Sequence, residues 1–323
     1  MAADSPLLSV EDLVVNFRKS GHTVQAVAGV SFDVIEGETL GLVGESGCGK
    51  STTGRALIQI EEPTSGAVRF QGTDLTSLKR RELRQARTGI QMIFQDPISS
   101  LNPRRRVRDI VAEPLDIWGL ETGDQRTDTV NTMLEAVGLD PKVAGERYPR
   151  EFSGGQCQRI SIARALVMKP KLMVCDEMVS ALDVSVQAQI LNLVEDLKAR
   201  YGLTLLFIAH DLAVVKNVSD RVAVMYLGRL CEIAPSDDLY HHPAHPYTDA
   251  LLSAALEPDP SAVRERVRLT GEPPSPINPP TGCRFRTRCP RAEARCAEEM
   301  PELVEIAPRH QVACHFPLLN TGS

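Results

Sequence analysis

The sequence of 323 residues has no apolar stretch approaching the roughly 18 residues that span a bilayer. Its longest run, Leu203 to Ala209, is broken only by Thr204 and is the length of a strand. The N-terminus lacks a basic region followed by an apolar one, so no signal peptide is expected and the chain is read as cytoplasmic. Aromatic residues make up only 4%, with Trp118 the single tryptophan, which disfavours a base-stacking platform. Positive charge is not in excess. Lys and Arg number 36 against 42 Asp and Glu, a net charge of −6, so no nucleic-acid partner held by bulk charge is expected. There is no C-x-x-C pair and no internal repeat.

What remains is ordinary globular material, 42% apolar and 24% charged, and the length suggests about two domains. Disordered and fibrous classes are excluded. An α/β body is expected from about residue 6 to 240. The apolar runs Thr39–Val43, Ile90–Phe94, Leu172–Cys175 and Leu203–Ala209 read as buried strands of a largely parallel sheet. Val186–Arg200 carries apolar residues at helical spacing, with Asp183 and Ser185 as candidate caps. Between Gln95 and Arg150 strand-like runs stop and charge becomes dense, which predicts a mostly helical insertion. Past Leu256 the proline-rich strings EPDP and GEPPSPINPP predict an extended tail with little regular structure.

Residues 44–51 read GESGCGKS, a complete G-x-x-x-x-G-K-S between a strand and the helix-like Thr52–Ile60. Glycines 44, 47 and 49 let the backbone wrap with its N–H groups turned inward, and the helix start adds positive potential. Lys50 is placed to reach β- and γ-phosphates, and Ser51 to put a hydroxyl on Mg²⁺. Glu45, Ser46, Cys48 and Thr52 complete the candidate binding loop. The string KLMVCDE ends a second strand in two acids. Asp176 can hold Mg²⁺ through water, and Glu177 can polarise an attacking water as general base.

Residues 152–156 read FSGGQ, and here the chain resembles the ATP-binding cassette (ABC) ATPases, whose signature is LSGGQ. Ser153, Gly154, Gly155 and Gln156 open a helix expected to run to about Met168. The resemblance implies that this helix start serves the γ-phosphate of a nucleotide held by another subunit, so that the active enzyme is a dimer. It also implies roles for Gln95 as the Q-loop glutamine and Mg²⁺ ligand, for Ser180–Asp183 as the D-loop, for His210 as the switch histidine beside Glu177, and for Phe17 as an adenine-stacking aromatic. The strings HHPAHPYTDALLSA and GEPPSPINPPTGCRFRTRCP resemble the C-terminal extension of dipeptide/oligopeptide importer ATPases, and residues 175–197 resemble their F-type subunit. Cys157 departs from the arginine usual in these proteins, with effects expected only on the helix surface.

That resemblance implies an ABC ATPase domain over 1–256, with a helical subdomain at about 96–168, and an extension over 257–323. It implies a homologous D-type ATPase partner, two membrane permeases docking near residues 95–120, and an extracytoplasmic substrate-binding protein. The chain would then lie on the cytoplasmic face of the inner membrane, touching it only through the permeases. Nickel or other small-solute importers share these features, and a soluble non-transport ABC ATPase is the reading from another class.

Half of the eight cysteines, Cys283, Cys289, Cys296 and Cys314, fall in the tail as C-x5-C-x6-C-x17-C. In a reducing compartment such a group reads as metal-binding rather than disulfide-bonded. Four thiolates suit Zn²⁺ or an iron–sulfur cluster, and four reduced cysteines packing the tail are the plainer alternative. The family resemblance implies a [4Fe–4S] cluster in some members. His310 and His315 flank Cys314 as candidate substitute or supporting groups for such a centre, with solvated loop histidines the favoured expectation.

Overall fold

Strands covered on both faces need continuous apolar runs, and the runs at residues 39–43, 172–175 and 204–208 meet that need. In the computed structural model, which describes residues 6–19, 21–254 and 271–318, all three are strands buried along their whole length. The chain forms two compact units, one comprising the residues up to Ser77 and those from Phe207 onward, the other Leu78–Leu206. The EPDP string and the expected boundary after Leu256 lie outside the described residues.

The first unit opens with β1 (Leu8–Lys19) and β2 (His22–Val34), followed by β3 (Thr39–Val43), β4 (Ser65–Phe70) and β5 (Thr73–Asp74). An antiparallel sheet has the order β2-β1-β4-β5. In the second unit lie β6 (Ile90–Ile93), β7 (Leu172–Asp176) and β8 (Thr204–Ile208), through which the chain leaves that unit. β6 and β7 are parallel. Between them the insertion is helical as expected, with helices at Val107–Trp118 and Gly123–Ala136. The former buries Val107, Ile110, Val111 and Leu115, the i, i+3, i+4, i+8 stripe of an amphipathic helix, and ends at Gly119 in the left-handed conformation.

Returning to the first unit, β9 (Arg221–Tyr226) runs parallel to β3, and β10 (Arg229–Pro235) antiparallel to β9. The proline string at 271–280 carries no helix or strand, as expected, but the extension beyond it is not wholly irregular. Two short strands, β11 (Val304–Ala307) and β12 (His310–Val312), extend the same sheet in the order β11-β12-β10-β9-β3. They join because β12 pairs with β10 through Glu232 opposite Val312 and Ile233 opposite Gln311. Residue-to-residue pairing over such a distance leaves no local pattern.

Glu232 anchors this edge. Its carboxylate is fully buried and accepts the Ala244 and His245 N–H groups at 2.7 and 2.9 Å. His310 Nε2 lies 2.8 Å from it, so His310 is a buried partner and not a solvated loop residue. His245 packs against Phe285, which also meets the rings of Tyr226 and Tyr247. Burial pushes the His245 imidazole down to about 4, keeping the ring neutral, and its Nδ1 accepts the Tyr247 N–H at 3.0 Å.

A base whose folded value lies below its unfolded one favours folding fully above the unfolded value, and that stability is lost as pH falls towards the folded one. The window for His245 runs from 6.5 down to about 4. Over it the chain should lose about 3 kcal/mol of stability from this residue. Urea midpoints measured across that range should fall with pH, and His245→Gln should remove this part of the slope. Identical slopes for the two proteins would refute the assignment.

Candidate functional site

The phosphate-loop sequence lies between β3 and a helix over Lys50–Leu57. Gly49 is the residue before the helix, with φ +111° and no side chain to cap the helix start. A Cβ there would fall 2.1 Å from the Ala26 carbonyl oxygen, so only glycine fits. Lys50 is 4% exposed, and its Nζ donates to the carbonyls of Gly44 at 2.8 Å and Glu45 at 3.1 Å. The loop therefore curls around its own ammonium. Cys48 is buried in the loop, and that burial pushes its thiol up, opposed by the Lys50 charge. Ser46 and Gly47 are exposed, and Ser51 and Thr52 half-buried. A helix start without a side-chain cap, beside a held cation, fits a polyphosphate.

His210 follows β8 and is exposed. The preceding Ala209 donates its N–H to Leu42 of β3 at 3.1 Å, which fixes this strand end beside the strand leading into the loop. Phe17 lies on β1 opposite Val24 and is 37% exposed.

The second unit carries the other candidates. Asp176 ends β7 and is buried. Glu177 has φ +46°, a left-handed backbone that costs a non-glycine residue of order 1 kcal/mol or more and gathers at functional sites. The turn is held by Ser180, whose N–H and hydroxyl both donate to the Glu177 carbonyl, at 3.1 and 2.9 Å. The Gln95 side-chain amide donates to the Glu177 carboxylate at 3.0 Å. Sequence reasoning placed both residues in the site, and the fold brings them into contact.

Ser153 precedes a helix over Gly154–Leu166 and forms a capping box. Its hydroxyl accepts the Gln156 N–H at 3.4 Å, while Gln156 accepts the Ser153 N–H at 3.0 Å. The Arg147 guanidinium lies over the Phe152 ring, 4.8 Å from its centroid. Gly155 has a second reason to be glycine. A Cβ there would come within 2.5 Å of Val186 Cγ1, at the start of the Val184–Tyr201 helix. Asp183 caps that helix, accepting from Val186 N–H at 3.0 Å and from the Ser185 hydroxyl at 2.7 Å. The Ser185 bond leads in holding the Asp183 carboxyl below its usual range. Cys157 is not on the helix surface. It is buried, with its thiol 3.6 Å from the Pro149 carbonyl, on the face of the helix that continues through Gln158 and Ser161 into the interior.

Cys283, Cys289, Cys296 and Cys314 line one common cavity of about 10 Å³ beside His245 and His315. Burial is the first cause pushing up the thiols of Cys283, Cys289 and Cys314, the last to about 11. Among the described residues no group of three or more His, Cys, Asp or Glu stands ready to hold a metal ion. Two partners of the phosphate loop escaped sequence reasoning. Tyr247 and Arg288 both contact Glu45, and both lie inside strings quoted for other reasons, HHPAHPY and CRFRTRCP.

The family model for ABC transporters matches residues 27–180, and that for the oligopeptide/dipeptide transporter C-terminal region matches 231–296. The oligopeptide transport ATP-binding protein AppF of Bacillus subtilis (strain 168) is 53% identical over 303 residues, 93% of this chain and 92% of that protein. OppF of Salmonella typhimurium, an oligopeptide transport ATP-binding protein, is 54% identical over 320 residues, 95% of each chain. The chain belongs to the ABC transporter ATP-binding proteins. Solved cassettes share its fold. cbiO1 from Clostridium perfringens, part of the ABC transporter complex cbiONQ, has a TM-score of 0.65 at 27% identity, covering 73% of this chain and 91% of that one. A dimeric cassette in a post-hydrolysis state bound to ADP and Pi has a TM-score of 0.65 at 26% identity, covering 71% and 98%. As an ABC ATPase, the chain is an α/β enzyme that hydrolyses ATP. Among the described residues no helix is long and apolar enough to cross a membrane.

The closeness of Gly155 to Val186 can be tested directly. Gly155→Ala should destabilise the chain by about 1–3 kcal/mol through overpacking. Adding Val186→Ala should recover part of that loss, read as denaturation midpoints. A double variant less stable than Gly155→Ala alone would contradict the steric account.

Proposed function

We propose that this chain powers peptide uptake as the F-type ATPase subunit of an oligopeptide or dipeptide importer. In this reading it pairs with a homologous D-type subunit and acts on two membrane permeases fed by an extracytoplasmic substrate-binding protein. It sits on the cytoplasmic face of the inner membrane through the permeases. The observation that carries the peptide assignment is the likeness to AppF and OppF over more than nine-tenths of the chain, with the matched C-terminal region included. Residues 1–256 serve as the ATPase domain, with the helical subdomain at about 96–168, and 257–323 as the extension.

The phosphate loop from Gly44 to Thr52 binds the nucleotide phosphates, with Lys50 on the β- and γ-phosphates and Phe17 on the adenine. Ser51, Gln95 and Asp176 hold Mg²⁺, which when bound neutralises charge on the phosphate oxygens. Glu177 takes the proton of the attacking water, and Gln95 and His210 orient it. Ser153, Gly154, Gly155 and Gln156, with Asp183, face a nucleotide held by the partner ATPase subunit. The dimeric state of the solved cassette bound to ADP and Pi supports that arrangement. ATP binding closes the two subunits on each other, and hydrolysis lets them part.

Cys283, Cys289, Cys296 and Cys314 hold one metal centre, [4Fe–4S] as the first reading and Zn²⁺ as the alternative. What supports this is their common cavity. None of the four belongs to the phosphate loop or the signature helix, so the centre is structural or regulatory.

Glu177→Gln should keep ATP binding and lose about 10²–10⁴-fold in hydrolysis, the range for removing a general base. Hydrolysis near the wild-type rate in the assembled transporter would exclude the role. Anaerobically purified chain should contain iron and sulfide with broad absorbance near about 400 nm. Stoichiometric zinc would move the centre to a zinc site, and four freely titrating thiols with neither metal would remove it.

A further inference from the structure

The phosphate loop carries an anion of its own. Glu45 is its second residue, and a carboxylate in a loop that must receive a polyphosphate is an electrostatic liability. The structure shows how that liability is met. Arg288 donates through both terminal nitrogens to the two Glu45 carboxylate oxygens, at 2.7 and 3.0 Å, a bidentate pair. The arginine side chain is 6% exposed and that of Glu45 25%. One of the same nitrogens also reaches the Tyr226 hydroxyl at 3.4 Å. The Glu45 backbone is held as well, its N–H donating to the Tyr247 hydroxyl at 3.0 Å. Tyr226, Tyr247 and Phe285 form one aromatic cluster, with centroids 4.7–5.3 Å apart. The turn bearing the arginine is fixed by the Arg288 N–H on the Phe285 carbonyl at 2.9 Å.

We infer that Arg288 is a positioning residue of the phosphate loop, turning the Glu45 carboxylate aside and cancelling its charge so that the loop can accept nucleotide phosphates. The inference rests on the nucleotide-binding role proposed above for residues 44–52. It assigns part of that site to the C-terminal region, far in sequence from the loop. Arg288 touches no reacting atom. Its effect passes through Glu45, so it acts on nucleotide affinity and not on the chemical step. If charge cancellation is the function, removing the arginine leaves a bare anion at the loop, and removing that anion too should repair the defect. A tie that merely held two segments together would not behave this way, because neither substitution could compensate for the other.

The test is the equilibrium Kd of the full chain for a fluorescent ATP analogue with Mg²⁺, alongside thermal midpoints without nucleotide. Arg288→Ala should raise Kd by about tenfold or more, the scale of losing a charge-assisted hydrogen bond. Arg288→Lys, which keeps the charge but not the fork, should give an intermediate value. Glu45→Gln in the Arg288→Ala background should restore Kd to within about threefold of wild type. Wild-type Kd in Arg288→Ala, or a double variant that binds as weakly as Arg288→Ala, would overturn the inference. Should Arg288→Ala not fold, Arg288→Gln decides, since it removes the charge at similar length and a wild-type Kd there overturns the inference equally. Wild-type chain that binds no nucleotide would overturn the phosphate-loop reading and the positioning role together. Normal wild-type binding with an indifferent arginine variant would overturn the positioning role alone.

Discussion

An ammonium taken out of water must be given acceptors, and the phosphate loop is built around that constraint. Lys50 is almost wholly buried, and the chain supplies the carbonyls of Gly44 and Glu45 by bending back over it. The loop runs so close to its neighbours that a Cβ on Gly49 would fall 2.1 Å from the Ala26 carbonyl oxygen, so glycine is required there. The cation is therefore desolvated and fixed before any phosphate arrives. Phosphate oxygens in that place would exchange one set of acceptors for another and would not have to strip water from the lysine. Such preorganisation lowers the cost of binding.

The second unit keeps its groups in reserve by a comparable device. The Ser153 hydroxyl accepts the Gln156 backbone N–H, and the Gln156 side-chain oxygen accepts the Ser153 backbone N–H. The Asp183 carboxylate is spent on its own helix. Glu177 sits on a strained backbone and accepts from Gln95. Each group has a local partner, so none stands as an unpaired polar atom in the isolated chain. A role at a nucleotide shared between subunits then means exchanging these local bonds for others. That exchange links ATP binding to dimer closure in the proposed function.

Much of this was legible in the sequence, for definite reasons. Fully buried strands demand unbroken apolar runs, so β3, β7 and β8 were visible. The phosphate loop was visible because its glycines, lysine and serine each answer a local demand, Glu177 because it follows an acid at the end of an apolar strand, and Gln95 because a family pattern ties distant residues together. The structure added what depends on long-range packing. Gly155 looks in sequence like part of an anion site, yet the approach of Val186 already requires it. Cys157 looked superficial because helical spacing alone does not say how deeply a first turn is set. β11 and β12 are four and three residues long, and the outer one, β11, is exposed throughout. Their existence depends on an edge offered by β10, whose Glu232 and Ile233 pair with Val312 and Gln311. The Fe–S or zinc reading of the four cysteines rests on chemistry and a shared cavity, since spacing without a C-x-x-C names no metal.

Arginine and histidine side chains of the tail are laid on acceptors of the body. Arg284 donates to the Leu227 carbonyl and to the Gln25 side chain, His310 meets Glu232, Arg309 reaches Glu38 at 3.5 Å, and Arg288 holds Glu45. The last two have a geometric consequence. Glu38 immediately precedes β3 and Glu45 follows close on its end. The segment from residue 288 to 309 thus grips the strand that presents the phosphate loop at both of its ends. At the Glu38 end Arg221 adds a buried ion pair at 3.2 Å, and the Asp220 carboxylate accepts the Thr39 N–H at 2.7 Å. Buried pairs of this kind are poorly screened and fail badly when one member is removed. The position of the loop is therefore set jointly by its own strand and by residues some 250 positions away, a distance scale at which no local sequence pattern operates. In physical terms the C-terminal region is part of the scaffold of the phosphate loop.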